Sequence, residues 1–182
     1  MTTVHNKGGA AMATVALVSI IDYLNASYRP DQELLEGQLV ERNVGEYDHS
    51  NLQGMLVMWL GRHQREWKIR VLPEQRLRVS PTRFRIPDVF VISREQEIEP
   101  VFTKPPLLVI EVLSKDDTLR SMQERIDDYR AFGIPNTWVL DPVKRRAYIC
   151  TQGDFREPET GTLVVPGSPI SIPTRDLFSD LD

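Results

Sequence analysis

The alternation of apolar and polar positions divides this chain into many short stretches and a few helical ones. Leu52, Met55, Leu56, Trp59 and Leu60 recur at helical spacing, which predicts a helix capped by Asp48 or Ser50 and ending between Arg62 and Glu66. Leu119, Met122, Ile126, Tyr129 and Phe132 repeat the pattern and predict a helix over 118–132, stopped by Gly133 and Pro135. Ser19 with Asp22 three residues on fits a capping box, so "SIIDYLNASY" reads as a short helix behind a loose tail over 1–18. "EGQLVERNV" reads as a short strand before a loop. "WKIRVL" and "EQRLRVS" alternate charged and apolar letters, as half-buried strands do, with Leu77 and Val79 inward and Arg76 and Arg78 outward. "FRIPDVFVIS" reads as a strand with Pro87 at its start or at an irregularity, because proline has no N–H to give to a ladder. "NTWVLDP" and "RRAYICT" read as a strand and its hairpin partner. Beyond Gly153 short strands and turns follow, with "TRDLF" as a terminal helical turn.

One stretch breaks its own pattern. "LLVIEVLS", residues 107–114, has apolar side chains on both alternating faces, as a strand covered on two sides does, yet Glu111 lies in its middle. An ionised carboxylate there costs several kcal/mol unless it is partnered or takes up a proton. The order of elements around it predicts an α/β fold with a mixed β-sheet flanked by helices.

Composition narrows the picture without changing it. A chain of 182 residues with 41% hydrophobic and 26% charged residues suits a single globular domain over 1–182. Cys150 is the only cysteine, which excludes disulfide frameworks and cysteine-based zinc sites, and His5, His49 and His63 show no metal-ligand spacing. The apolar run from Ala10 to Ile21 is too short to span a bilayer. No export signal is evident, so a cytoplasmic location without membrane attachment is expected. Net charge is −4, but the segment from Arg62 to Arg85 carries eight basic residues against Glu66 and Glu74. Such asymmetry marks a candidate phosphate-binding face, with Arg76, Arg78, Arg83 and Arg85 as contacts to a nucleic-acid backbone.

Asp88 opens the strand in "PDVFVIS", and sequential strands often pair, which would bring it close to Glu111. Two carboxylates in an apolar sheet repel each other, and a divalent cation would relieve both. An oxygen donor set completed by water suits Mg²⁺ or Mn²⁺ and leaves positions open for phosphate.

"IPDVFVIS", "PPLLVIEVLS", the helix ending "YRAFGIP" and the strand "NTWVLDP", in that order, resemble the Uma-two family of restriction-endonuclease-like proteins within the PD-(D/E)xK nuclease superfamily. "LLEGQLVE" and "DHS" resemble its N-terminal half. The resemblance implies a restriction-endonuclease-like core, a Mg²⁺ (or Mn²⁺) cofactor, hydrolysis of DNA phosphodiesters, and a homodimer in which each subunit cuts one strand. Asp88 and Glu111 would be the metal ligands, joined by the carbonyl of Val112.

The chain departs from the family pattern at two points. The residue two after the glutamate, usually lysine, is Leu113. The family's lysine on the following helix corresponds to Arg125, which can stabilise phosphate charge but stays protonated and so cannot act as a general base. Gln123 would orient water in its stead, with Lys115 more remote. The family's acidic residue after glycine corresponds to Gln38, flanked by Glu36 and Glu41, either of which could add a carboxylate. His49 matches a histidine at the start of the family's first helix, with a catalytic or a helix-terminal role. A catalytically impaired nuclease fold that binds nucleic acid or protein is the alternative, and the arginine at the lysine position favours it.

Overall fold

The computed structural model describes residues 16–42, 46–151, 154–179 and 181. As far as residue 15, the expected tail lies outside them. Ser19 caps α1 (Ile20–Asn25), its hydroxyl accepting the Asp22 N–H at 3.1 Å. The strands β1 (Gln32–Leu35) and β2 (Gln38–Glu41) then form a hairpin, of which only the second strand is expected from the sequence. Glu36 and Gly37 turn it with φ of 51° and 81°, the left-handed pair whose twist matches that of the flanking strands.

The helix α2 (Tyr47–Arg62) starts earlier than expected, with Glu46 at its N-cap in place of Asp48 or Ser50. The Ser50 N–H already bonds the Glu46 carbonyl at 2.9 Å, so Asp48 lies inside the first turn, where its charge complements the helix dipole. Four strands follow: β3 (Ile69–Pro73), β4 (Leu77–Ser80), β5 (Arg83–Arg85) and β6 (Val89–Ser93). After them come β7 (Leu108–Val112), α3 (Leu119–Phe132), β8 (Thr137–Asp141), β9 (Arg146–Thr151) and β10 (Asp154–Arg156). The short pair β11 (Thr162–Val164) and β12 (Ser171–Pro173) leads into α4 (Thr174–Phe178).

The central sheet runs β10-β9-β8-β7-β6-β3, and a smaller one runs β2-β1-β5-β4. Only β7 and β8 are parallel in the central sheet, and α3 makes the crossover that a parallel pair requires. "FRIPDVFVIS" is thus two strands in two sheets. Pro87 stands between them, where the chain leaves the small sheet through Ile86 and enters the central one at Val89.

Alternation along the central strands separates two core layers. Val89, Val91, Leu108, Ile110, Trp138 and Leu140 face Leu52, Leu56 and Leu60 of α2, with α4 packed behind. On the other face Phe90, Ile92 and Val109 meet Tyr129 of α3 and Leu77 and Val79 of β4. The architecture is a mixed α/β fold whose sheet is flanked by helices. Among the described residues no helix is long and apolar enough to cross a membrane.

Gly133 closes α3 with φ of 92°, its N–H returning to the carbonyls of Arg130 and Tyr129. An added Cβ would meet only Pro105 Cγ, at 3.8 Å, so replacement strains the backbone without a clash. Gly133→Ala should therefore lower stability by about 1–2 kcal/mol. Urea unfolding should show a lower midpoint with an unchanged slope.

Candidate active site

Antiparallel pairing sets Val89 opposite Ile110, and Asp88 and Glu111 are the residues next beyond that pair. Both are buried, at 1% and 0% exposure. The Asp88 Oδ2 accepts the Val112 N–H at 2.7 Å. Its Oδ1 takes the Arg42 guanidinium, and His49 Nε2 lies 3.4 Å from the same oxygen. Arg42 follows β2 and His49 sits in the first turn of α2, so two further elements reach this carboxylate. The main chain of Asp88 is pinned as well, its carbonyl accepting from the Gln53 amide at 3.0 Å and from the Glu74 N–H at 3.3 Å.

Glu111 is served by α3. Its Oε1 accepts the Tyr129 hydroxyl, and its Oε2 accepts Arg125 Nη1 at 3.2 Å. Arg125 and Tyr129 are four residues apart, so helical geometry places both on the face turned to the sheet. Here is the compensation that the sequence demanded: a cation and a hydroxyl hold the glutamate in its apolar strand.

The two carboxylates are tuned apart. Burial works against ionising Asp88, but the His49 hydrogen bond and the charge of Arg42 outweigh it and hold its pKa below the usual range. Burial pushes Glu111 up to about 7, because the attraction of Arg125 does not offset desolvation and the repulsion of Asp88. Burial lowers the proton affinity of His49, yet its bond to Asp88 leaves the pKa raised. Burial likewise opposes the charge on Arg125, and Glu111 more than restores it.

Arg42, His49, Asp88, Val112 and Arg125 line a narrow cleft with about 10 Å³ of free room, roughly one water molecule. Arg42 Nε and His49 Nδ1 are buried there without a partner among the described residues. Unsatisfied polar atoms at a cleft mark a place for an incoming polar group. The donor set, two carboxylates at the end of a strand pair, fits a hard divalent ion that keeps most of its waters. Among the described residues no group of three or more His, Cys, Asp or Glu is placed to hold a metal ion, so an ion at the two carboxylates would depend on a backbone carbonyl and water for the rest of its shell. An ion at Asp88 Oδ1 would have to displace Arg42.

Several residues expected at the site lie elsewhere. The Gln123 amide donates to Asp127 Oδ1 at 3.1 Å along α3, so it is not aimed at Glu111. Lys115 is exposed and pairs with Glu46. Glu36 is exposed, accepting the Thr82 hydroxyl at 2.7 Å, and Gln38 and Glu41 are exposed too. The buried carboxylate of the hairpin is instead Glu33, which accepts Arg85 Nη1 at 2.7 Å and the Ile86 N–H at 3.0 Å.

Nor do the four arginines form a free phosphate-binding face. Arg85 is 3% exposed and bridges Glu33 to Asp128 of α3. Arg83 pairs with Glu124 and Asp128. Arg76 lies 4.8 Å over the Tyr23 ring and Arg78 5.6 Å over Phe84. Arg62, Arg65 and Lys68 are exposed, but they begin at the far end of α2, about 20 Å along the helix from His49. Arg76 and Arg78 stay half-buried and also donate to the main chain, Arg76 to the Ala26 carbonyl at 3.3 Å and Arg78 to the Pro81 carbonyl at 2.8 Å.

The family described as "Putative restriction endonuclease", Uma2, matches residues 22–173. The chain belongs to the Uma2 family. Its fold is similar to the crystal structure, at 1.96 Å resolution, of a "putative nuclease belonging to DUF820" from Anabaena variabilis ATCC 29413. The TM-score is 0.76 at 20% sequence identity, with 89% of this chain and 98% of that one covered. No curated protein matches this Uma2 chain. Within the matched region lie Arg42, His49, Asp88, Glu111, Arg125 and Tyr129.

Arg85 offers a direct check of its internal role. Removing it leaves Glu33 buried without its cation, which should cost about 3–5 kcal/mol. Arg85→Ala should show that loss in urea unfolding, whereas a phosphate-contact residue would leave the midpoint unchanged.

Proposed function

We propose that this Uma2 protein is a divalent-metal-dependent endonuclease that hydrolyses DNA phosphodiester bonds. The carrying observation is the pair of buried carboxylates, Asp88 and Glu111, set between the guanidinium groups of Arg42 and Arg125 in a family of nuclease-like proteins. Residues 1–182 act as one nuclease-like unit in this reading, paired as a homodimer so that each subunit cuts one strand.

Asp88 and Glu111, with the carbonyl of Val112, are the groups that would hold Mg²⁺ or Mn²⁺. When bound, such an ion would supply a lowered pKa to water and offset charge on the phosphoryl group. Arg125, beside Glu111, faces the charge that develops on the phosphate oxygens as the attacking oxygen approaches. It does not serve as the base, since a guanidinium keeps its protons. Tyr129 fixes the Glu111 carboxyl through its hydroxyl, and His49 fixes that of Asp88. The buried, unpartnered Nε of Arg42 and Nδ1 of His49 would gain partners once the site opens to a water or a phosphate oxygen.

A second reading, a binding module that keeps the fold without turnover, is favoured by one observation. Arginines stand at both carboxylates, Arg42 at Asp88 where the ion would bind and Arg125 at Glu111, and neither can give up a proton as a base must.

Plasmid nicking separates the two readings. With Mg²⁺ or Mn²⁺ the parent should nick supercoiled plasmid, and Asp88→Asn and Glu111→Gln, both near-isosteric, should each lose on the order of a hundredfold or more. A folded parent that never nicks would favour the binding module. Metal binding itself is read separately by calorimetry. Because Arg42 occupies Asp88 Oδ1, Arg42→Ala should bind Mn²⁺ about tenfold more tightly than the parent. Unchanged affinity would mean that ion and guanidinium do not compete.

A further inference from the structure

Next to the narrow cleft lies a much larger cavity of about 490 Å³. The two share Ser114 and Asp117 as walls, so the large cavity begins where the carboxylate site ends. Leu113, Val139 and Met122 form its apolar inner surface. Tyr148 and Phe155 add two aromatic rings, set edge to face at 83° with centroids 6.0 Å apart. At its mouth stand Leu119, 88% exposed, and Val143, 82% exposed. The charged groups there, Asp141 and Lys144, are paired with each other at 3.4 Å.

We propose that this cavity receives an unpaired nucleobase of the strand whose phosphate lies at Asp88 and Glu111, so that the substrate class is single-stranded or locally opened DNA. The proposal rests on the nuclease reading for the position of the phosphate. Its size and lining are those of a small-molecule site, apolar and aromatic with few polar groups. Shared walls put the cavity within reach of a base attached to a phosphate at Asp88. Inside a duplex both faces of a base are covered by its neighbours, so a base can enter such a cavity only from a single strand or after extrusion. Stacking on aromatic side chains is also tolerant of sequence, because every base has a π-face. A second copy of this chain would be the rival occupant, given Leu119 and Val143 at the mouth. Seated there, it would close off the cavity on the side of the carboxylates, which a nuclease must keep open to its substrate.

The test measures binding with Ca²⁺, a hard divalent ion, over times in which gel electrophoresis shows the ligands to stay intact. Three ligands of equal length are compared at one salt concentration: a short oligothymidylate, the same backbone without bases, and a blunt duplex. The oligothymidylate should bind about tenfold or more tightly than either of the others. Tyr148→Ala, shown to be folded by circular dichroism, should weaken oligothymidylate to the level of the base-free strand and leave the duplex unaffected. Equal binding of oligothymidylate and base-free backbone would overturn the proposal, and it involves no altered protein. Leu119→Asp supplies the other arm. If it converts a dimer to a monomer in sedimentation without changing oligothymidylate binding, the cavity belongs to a second copy and the proposal fails. The two readings fail separately. Plasmid nicking without any preference for bases removes the cavity proposal alone. Base-dependent binding without nicking removes the nuclease reading and supports the cavity as a base-binding site.

Discussion

Asp88 and Glu111 stand at the end of the pairing between two buried strands, and much of the surrounding structure serves to keep them there. Neither carboxylate could ionise alone in that apolar sheet, so each recruits partners from another element. Asp88 draws Arg42 from the end of β2 and His49 from the start of α2, while Glu111 draws Arg125 and Tyr129 from α3. Exposed ion pairs such as Lys104 with Glu97 contribute at most about 1 kcal/mol. Breaking a buried pair strands a charge and costs about 3–5 kcal/mol. The same groups that give the site its chemistry therefore also fasten the hairpin and two helices to the central sheet.

Pro87 determines where this happens. A strand that continued through it would need an N–H that proline lacks, so the chain changes sheets there, and Asp88 emerges where the central sheet takes over. The Gln53 amide and the Glu74 N–H hold its carbonyl at that point. A second buried network, Glu33 with Arg85 and Asp128, ties the small sheet to α3. It braces the helix that carries Arg125, which makes Arg85 a supporting residue of the site although it touches neither Asp88 nor Glu111.

What could be read from the sequence depended on how local the signal was. Glu111 stood out because a carboxylate in an apolar run violates its surroundings, and α2 and α3 because periodicity is a local property. Asp88 followed from the pairing of neighbouring strands. The first strand of the hairpin was missed, although "EG" between "QELL" and "QLVE" is a two-residue turn signal that would have exposed Glu33. Arg42 offered no signal at all, since its partner lies 46 residues away and an arginine after a strand reads as a solvated one. The run of arginines poses the same difficulty. Local charge does not reveal whether a guanidinium meets a phosphate, a ring or a buried carboxylate, and here rings and carboxylates bind Arg76, Arg78, Arg83 and Arg85.

An arginine rather than a lysine beside Glu111 changes how charge can move in the proposed reaction. A lysine can surrender its proton when desolvated, whereas the guanidinium of Arg125 remains a cation throughout. With Arg42 it sets two fixed positive charges beside Asp88, which is held ionised, and Glu111, which burial pushes up to about 7, so the closed site has no surplus of negative charge. Adding a divalent ion alone would upset that balance and meet repulsion from both arginines. A phosphodiester arriving with the ion would cancel one of its two charges, and the guanidinium groups released from the carboxylates could turn to the phosphate oxygens. In the proposed reading, charge balance would thus favour joint entry of metal and substrate over metal first, with Arg42 released from Asp88 in the exchange.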